Sequence, residues 1–277
     1  MGSGANPTKD QAQRILGKVL QLAKAPGADA IVSLTATRHG NTRFAVNEIS
    51  SSADVEKQQL SITIQIGKRQ ASATTNQLDD RSLADVVARA HRMAKLSPEN
   101  PEALPPLGRQ NYKPAASASD GATVNLTPEA RAKVVGSALA YGKDVVIAGY
   151  FEHMARTQAL ASSQGLSAHH AWTTVDLRVT ARTPDGTGSG WGGGTGHRAS
   201  DLDAGALAKI AVDKAKASAK PTKLDPGRYT VVLEPAAVSD LFSWLTGALN
   251  ARRADEGRSF FSKPGGGNRI GDKLFPE

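Results

Sequence analysis

Six histidines and one glycine-rich run are the residues in this 277-residue chain whose types could do chemistry. His39, His91, His153, His169, His170 and His197 contain no His-x-x-x-His pair, so no helix presents two imidazoles to one zinc ion. His169 and His170 are adjacent and would point to opposite faces of a strand. A metal site would therefore have to be gathered from distant histidines and carboxylates. Gly188-Ser189-Gly190-Trp191-Gly192-Gly193 has the spelling of a dinucleotide fingerprint. That motif works only when a helix N-terminus follows at once and turns its N–H groups on the pyrophosphate, and here the next helical pattern begins at Ala204. The run reads instead as a glycine strand whose missing side chains let another backbone approach, either within the fold or from an extended peptide. Gly192, Gly193 and Gly194 are on that ground candidate peptide or partner contacts. Asp79-Asp80 precedes a helical pattern and reads as a cap rather than as an acid–base pair. No Gly-x-Ser-x-Gly elbow is present.

The chain has no cysteine, which excludes a disulfide framework, a thiolate nucleophile and Cys-ligated zinc or iron–sulfur centres within it. Lys plus Arg number 34 against 26 Asp plus Glu, a net charge of +8. This balance permits a nucleic-acid partner through counterion release, but the cations alternate with acids, as in Asp213-Lys214-Ala215-Lys216, in the manner of a solvated face. Nucleic acid is not the expected partner. No apolar run is long enough to span a bilayer, so no membrane association is expected, and composition leaves the location open. Met1-Gly2-Ser3-Gly4 has the composition of a cloning remnant, which leaves room for a leader removed beforehand.

The elements that must position these residues follow from periodicity. An amphipathic helix spans 8–25, with Thr8 and Gln11 at capping-box spacing and Pro26-Gly27 as its stop. Period-two alternation from Ala28, a reversal at His39-Gly40-Asn41-Thr42 and a return through Arg43–Ile49 predict a hairpin. Leu60–Ile66 and a strand ending near Thr75 follow, then a helix from Leu83 to Leu96 and a proline-rich crossing from Ser97 to Thr127. A helix opened by Thr127 and Pro128 leads into strands over Val145–Ala155, Arg156–Ser162 and His170–Thr183, and a helix over Ala204–Ala219 closes the series. The two halves repeat one order of elements, with Arg43–Ile49 in the place of Arg156–Ser162, which implies an internal duplication with little identity left. The expected class is α+β, a mostly antiparallel sheet with helices on one face. The expected domains are 1–222 and 223–277, the second beginning with a Tyr229–Leu233 strand and a helix from Pro235 to Arg253. A strand and one helix cannot close a core, so the second reads as the start of an incomplete domain.

Gly227-Arg228-Tyr229-Thr230-Val231-Val232-Leu233-Glu234-Pro235, then Glu256-Gly257-Arg258-Ser259-Phe260-Phe261 and Ile270-Gly271-Asp272-Lys273-Leu274, resemble the TldD/PmbA family, once called modulators of DNA gyrase. Thr42-Arg43-Phe44-Ala45-Val46-Asn47-Glu48-Ile49 is similar to the family's amino-terminal signature. The resemblance implies a zinc metallopeptidase of two related subunits acting on unfolded or modified peptides. In TldD-type subunits a helix after the Val-Val-Leu strand carries His-Glu-x-x-x-His, which binds zinc and activates water. Ser243, Trp244 and Ala248 stand at those positions here, and none can take either role. The resemblance is thus to the PmbA (TldE) type. It implies no catalytic, cofactor-binding or metal residue in this chain, zinc in a TldD-like partner subunit, a dimer, and Glu256, Arg258 and Ser259 as further candidate contacts. Family members continue past the Ile-Gly-Asp-Lys-Leu segment, so the chain reads as an amino-terminal portion. The alternative function is a stand-alone module binding peptide or nucleic acid without enzymatic activity.

Overall fold

The computed structural model describes residues 6–113 and 116–274. Met1–Gly4, Pro114 and Glu277, on which expectations above fall, lie outside the described residues. The chain divides into two units, Met1–Pro221 and Thr222–Glu277.

In the first unit α1 (Lys9–Leu22) is closed by the expected Thr8/Gln11 capping box. The strands β1 (Ala28–Ala45), β2 (Glu48–Ile66) and β3 (Arg69–Thr75) and the helix α2 (Asp80–Leu96) follow. Asp79 is the N-cap of α2, accepting from the Ser82 N–H at 3.0 Å. Among its described residues the proline-rich crossing contains one helix, the short α3 (Gly121–Val124). Then come α4 (Pro128–Leu139), β4 (Val146–Ser162), β5 (Ser167–Arg182), β6 (Ser189–Gly196) and α5 (Ala204–Ala217). All six strands form one antiparallel sheet in the order β3-β2-β1-β4-β5-β6.

That order is the duplication made visible. The ladder pair Asp29↔Gln65 of β1 and β2 falls on Val146↔Arg182 of β4 and β5, and His39↔Val55 falls on Arg156↔Trp172. The constant step is 117 residues, and the two copies meet where β1 pairs with β4. Arg156 therefore corresponds to His39, not to Arg43 as the element order suggested. Two helices straddle the seam: α1 packs on β1 and also reaches β4 and the start of β5, where Asn6, just before the helix, donates to the Ala155 carbonyl and Gln13 to Ser167, while α4 packs beside α5 and also reaches β1 and β2.

Core-facing residues alternate along each strand with period two, and all four long helices cover the same sheet face. One apolar cluster joins Leu16 and Val19 of α1 and Leu83, Val86 and Val87 of α2 to Val32, Leu34, Leu60, Ile62 and Ile64. It also takes in Ala159 and Ala161 from β4 of the other copy. The second joins α4 and α5 to Ile147, Phe151, Val175, Leu177 and Val179, and takes in Phe44 from β1. Each core thus needs a strand residue from the opposite copy.

Four further expectations are corrected. His39–Thr42 is no reversal: β1 runs unbroken through it, and the chain turns at Val46 and Asn47, both at positive φ. The reason is tertiary. A Cβ on Gly40 would lie 2.3 Å from Arg131 Nη1 and from His153 Cε1, so its glycine serves close approach. Asn47 is held in the left-handed region because its side chain donates to the carbonyls of Gly142 and Val145 and accepts from the Ile147 N–H. Second, Val145–Ala155 and Arg156–Ser162 are one strand, β4, paired along its length with β5. Third, Tyr229–Leu233 is not a strand and lies exposed, with Val232 at 96%. In the second unit α6 (Pro235–Thr246) stops at Gly247, before α7 (Ala251–Asp255), instead of running to Arg253.

The glycine strand is resolved as an internal contact. Cβ atoms on Gly188, Gly190 and Gly192 would sit 2.1, 2.1 and 2.2 Å from the carbonyl oxygens of Ala215, Ala211 and Leu207. These carbonyls are spaced one turn apart along α5, and the glycines alternate along β6, so a helix backbone lies directly on a strand backbone. Ala208, Ala211 and Ala215, all fully buried, keep that approach close. Gly190→Val is expected to lower stability by about 1–3 kcal/mol through overpacking. Gly17→Ala in α1, where a Cβ meets nothing within 4 Å, should raise it by about 0.5–1 kcal/mol. Urea midpoints at unchanged slope measure both.

Candidate functional site

Polar groups collect on the helix-covered face midway along β1 and β4, between the two apolar clusters. Arg131, on the buried side of α4, is fully buried. Its guanidinium has five N–H donors, and the structure gives it five bonds. Nη1 and Nη2 each donate to an Asp54 carboxylate oxygen at 2.8 Å, Nη2 also to Ser52 Oγ at 3.1 Å, Nη1 to the Leu126 carbonyl at 3.3 Å and Nε to Thr42 Oγ1 at 3.3 Å. The hydrogen bond from Arg131 holds the Asp54 carboxyl below its ordinary pKa. His153, 4% exposed on β4, faces the same guanidinium across Gly40, and its Nδ1 has no hydrogen-bond partner among the described residues. Burial first, then the Arg131 cation, pushes its pKa down to about 4. It is a neutral imidazole at ordinary pH.

The opposite, helix-free face carries a second set. His39 Nε2 lies 2.7 Å from Glu152 Oε2. Arg43 stacks over Tyr150 with its guanidinium 5.3 Å from the ring centroid, and Arg156 over Trp172 at 5.7 Å. His170 stacks on the same Trp172 at 5.4 Å. Burial and the neighbouring Glu152 charge raise the Tyr150 pKa. These groups bind one another, and no group of three His, Cys, Asp or Glu among the described residues is placed to hold a metal ion.

The residues singled out from sequence fall in separate places. Gly192 and Gly194 face α5, where added Cβ atoms would meet the Leu207 carbonyl and the Leu202 and Leu207 side chains; Gly193 lies on the other face against the Trp191 ring. Glu256, Arg258 and Ser259 belong to the second unit. Glu256 ends α7 and pairs with Arg252 and Arg258, which lowers its pKa. Ser259 Oγ donates to the Ala248 carbonyl at 2.7 Å and accepts from the Phe261 N–H. Ser243 and Trp244 lie on α6 and Ala248 just after it. The Ser243 hydroxyl donates to the Asp240 carbonyl, Trp244 is 86% exposed, and Ala248 has no donor atom on its side chain. This set does not fit zinc.

The Arg131 cluster was not found from sequence because Arg131 and Asp54 are 77 residues apart. The signal available was weaker: polar or absent side chains at core-facing positions inside apolar strands, Gly40 and Thr42 before Phe44 and His153 after Phe151.

Asp54→Ala strips a buried guanidinium of its countercharge and is expected to cost about 3 kcal/mol or more. Arg131→Met should cost less, because the Asp54 side chain is 53% exposed and can turn to water. Denaturant titration of both variants checks that order. The folded-state pKa of His153 lies below its unfolded value, so its contribution is present above about pH 6.5 and is lost as pH falls towards 4. The loss amounts to about 3 kcal/mol for a shift of this size. His153→Leu should flatten the stability profile in that window, leaving the smaller slope of His169, whose pKa is lowered by burial in the same direction.

No curated protein matches this sequence. Three domain models of one family do: PmbA/TldA metallopeptidase domain 1 over residues 30–94, the central domain over 117–219 and the C-terminal domain over 226–277. Among solved structures, a modulator of DNA gyrase from Thermotoga maritima aligns with TM-score 0.79 at 16% identity, covering 88% of this chain and 57% of its own. A second protein of that description, from Bacteroides thetaiotaomicron, gives 0.76 at 16%, with coverage of 92% and 60%. TldE from Thermococcus kodakarensis gives 0.63 at 15%, with coverage of 74% and 47%. At these identities the structures establish the fold alone, and this chain spans less than two thirds of each. No helix among the described residues is long and apolar enough to cross a membrane. Matched in sequence order by all three domain models of one family, the chain belongs to the PmbA/TldD metallopeptidase family.

Proposed function

We propose that this chain is a non-catalytic, PmbA/TldE-like subunit of a two-subunit zinc metallopeptidase that acts on unfolded or modified peptides. The observation that carries the reading is the residue set at the family's zinc position. Ser243, Trp244 and Ala248 supply neither an imidazole nor a carboxylate, so this position offers no base to activate water and no ligand pair for the ion. Zinc and the hydrolytic step then belong to a TldD-like partner. This chain supplies walls: a sheet domain held rigid by its crossed halves, and a second unit that leaves Val231, Val232, Leu241, Phe242 and Trp244 exposed and available for burial in an assembly. Location in the cytoplasm accords with this role.

Co-expression with a TldD-type subunit should yield a complex of the two chains with peptidase activity on an unfolded polypeptide, and metal analysis should find zinc in proportion to the partner. Stoichiometric zinc together with peptidase activity in this chain alone would overturn the reading.

A further inference from the structure

The sheet has four stretches of outer edge, and three of them are met by other parts of the chain. On β3, Arg89 donates to the Thr74 carbonyl at 2.6 Å, and Glu99 bridges to Arg69. On β6, Ser218 Oγ takes both the N–H and the carbonyl of Ser189, and Lys214 donates to the Trp191 carbonyl. On β5, the part beyond β6 is met by the crossing segment at Trp172 and Thr173: Ala118 bridges to Trp172 in parallel sense, the Thr173 N–H donates to the Ala118 carbonyl at 2.8 Å, and the Asp120 N–H donates to Thr173 Oγ1. The fourth stretch is β2 from Glu48 to Gln59. Its inner edge pairs with β1, β3 begins its pairing only at Leu60, and every residue of the stretch is exposed. Among the described residues no backbone group pairs with its outer edge. Proteins as a rule block such an edge because its unpaired N–H and C=O groups are a template for another strand.

The internal duplication says what such a strand is like. The 117-residue step that superposes the copies places Val55 on Trp172 and Glu56 on Thr173, so the bare edge of β2 is the counterpart of the edge that Ala118 covers. The covering segment in the second copy, Ala116-Ser117-Ala118-Ser119, is extended, small and uncharged. Both carboxylates of Ser50–Gln59 are already paired, Asp54 with Arg131 and Glu56 with Arg38, so neither is left to select a cation, whereas Lys57 would favour an acidic strand, the competing occupant that an acidic peptide tests. We infer that the outer edge of β2 over Ser50–Gln59 is a docking site for an extended, uncharged, small-residue segment of another polypeptide, which adds as a strand parallel to β2. Main-chain hydrogen bonds supply the affinity, and the outward amides, by alternation from the Thr173 counterpart, are those of Asp54, Glu56 and Gln58. The site lies in the first unit and does not depend on the peptidase reading.

Residue-resolved amide exchange on the whole chain tests this, with an eight-residue acetylated and amidated Ala-Ser alternating peptide as probe. At saturating peptide the Asp54, Glu56 and Gln58 amides should slow by about tenfold. The same peptide with Asp at alternate positions should have no effect. Glu56→Pro removes one outward donor without breaking the β1 ladder and should abolish the protection, circular dichroism serving to verify its fold; the wild-type comparison decides the matter even if this variant does not fold. Unchanged exchange with the Ala-Ser peptide would overturn the proposal, as would equal protection by the acidic one. Protection that appears without peptide and grows with protein concentration would assign the edge to a second copy of this chain and would also overturn it.

Discussion

A guanidinium with no exposed surface has to find a partner for each of its five N–H groups, and Arg131 finds four of them on strands of the opposite copy and the fifth at the Leu126 carbonyl just before its own helix. It rises from α4, in the second copy, and its countercharge is Asp54 on β2 of the first. A full charge taken out of water is tolerated only when its pairing is complete. The bidentate Asp54 bond, Thr42, Ser52 and the Leu126 carbonyl therefore fix the rotation and depth of α4 on the sheet. Gly40 has no side chain because the guanidinium and the His153 ring occupy that space. The neutral state of His153 follows from the same burial, since a second cation there would face the first.

The two copies share a topology and differ in how they pack. In the first, branched aliphatic side chains from α1 and α2 fill the space over Val32, Ile62 and Ile64. In the second, α5 settles onto bare glycine backbone in β6 with alanines between, at backbone contact distance. The alanine surface of α5 and the glycines of β6 each make sense only with the other present. The reach of α1 and α4 across the seam joins the copies into one body, since each apolar cluster includes strand residues from both.

The second unit has different physics. Its hydrogen bonds are local, such as Ser259 to Ala248, Asn268 to Asp255 and the Glu256 pairs, and many of its large apolar side chains face water. Tyr229–Leu233 has the composition of a buried strand and no ladder to join. Ser243 and Trp244 on α6 and Ala248 just after it, the positions that the resemblance sets against the family's zinc motif, carry side chains without metal chemistry.

Helix ends were legible in the sequence because caps are local: Thr8 with Gln11, Asp79 with Ser82, and Thr127 with Pro128 act within one turn. The α+β class, the antiparallel sheet and the order of elements followed from periodicity, and family membership from short segments whose order is preserved. The residue types at Ser243, Trp244 and Ala248 by themselves fix that none of the three supplies an imidazole or a carboxylate. What only the tertiary structure decided is where the chain turns and which polar residues meet. His39-Gly40-Asn41-Thr42 has turn composition but lies mid-strand, because a buried guanidinium from 91 residues beyond Gly40 needs the space of a missing Cβ, while β-branched Val46 turns because Asn47 is anchored to β4 and the loop before it. Local propensity operates over a few residues, whereas a buried charge or a backbone-to-backbone contact is settled between segments that meet only when the sheet has formed.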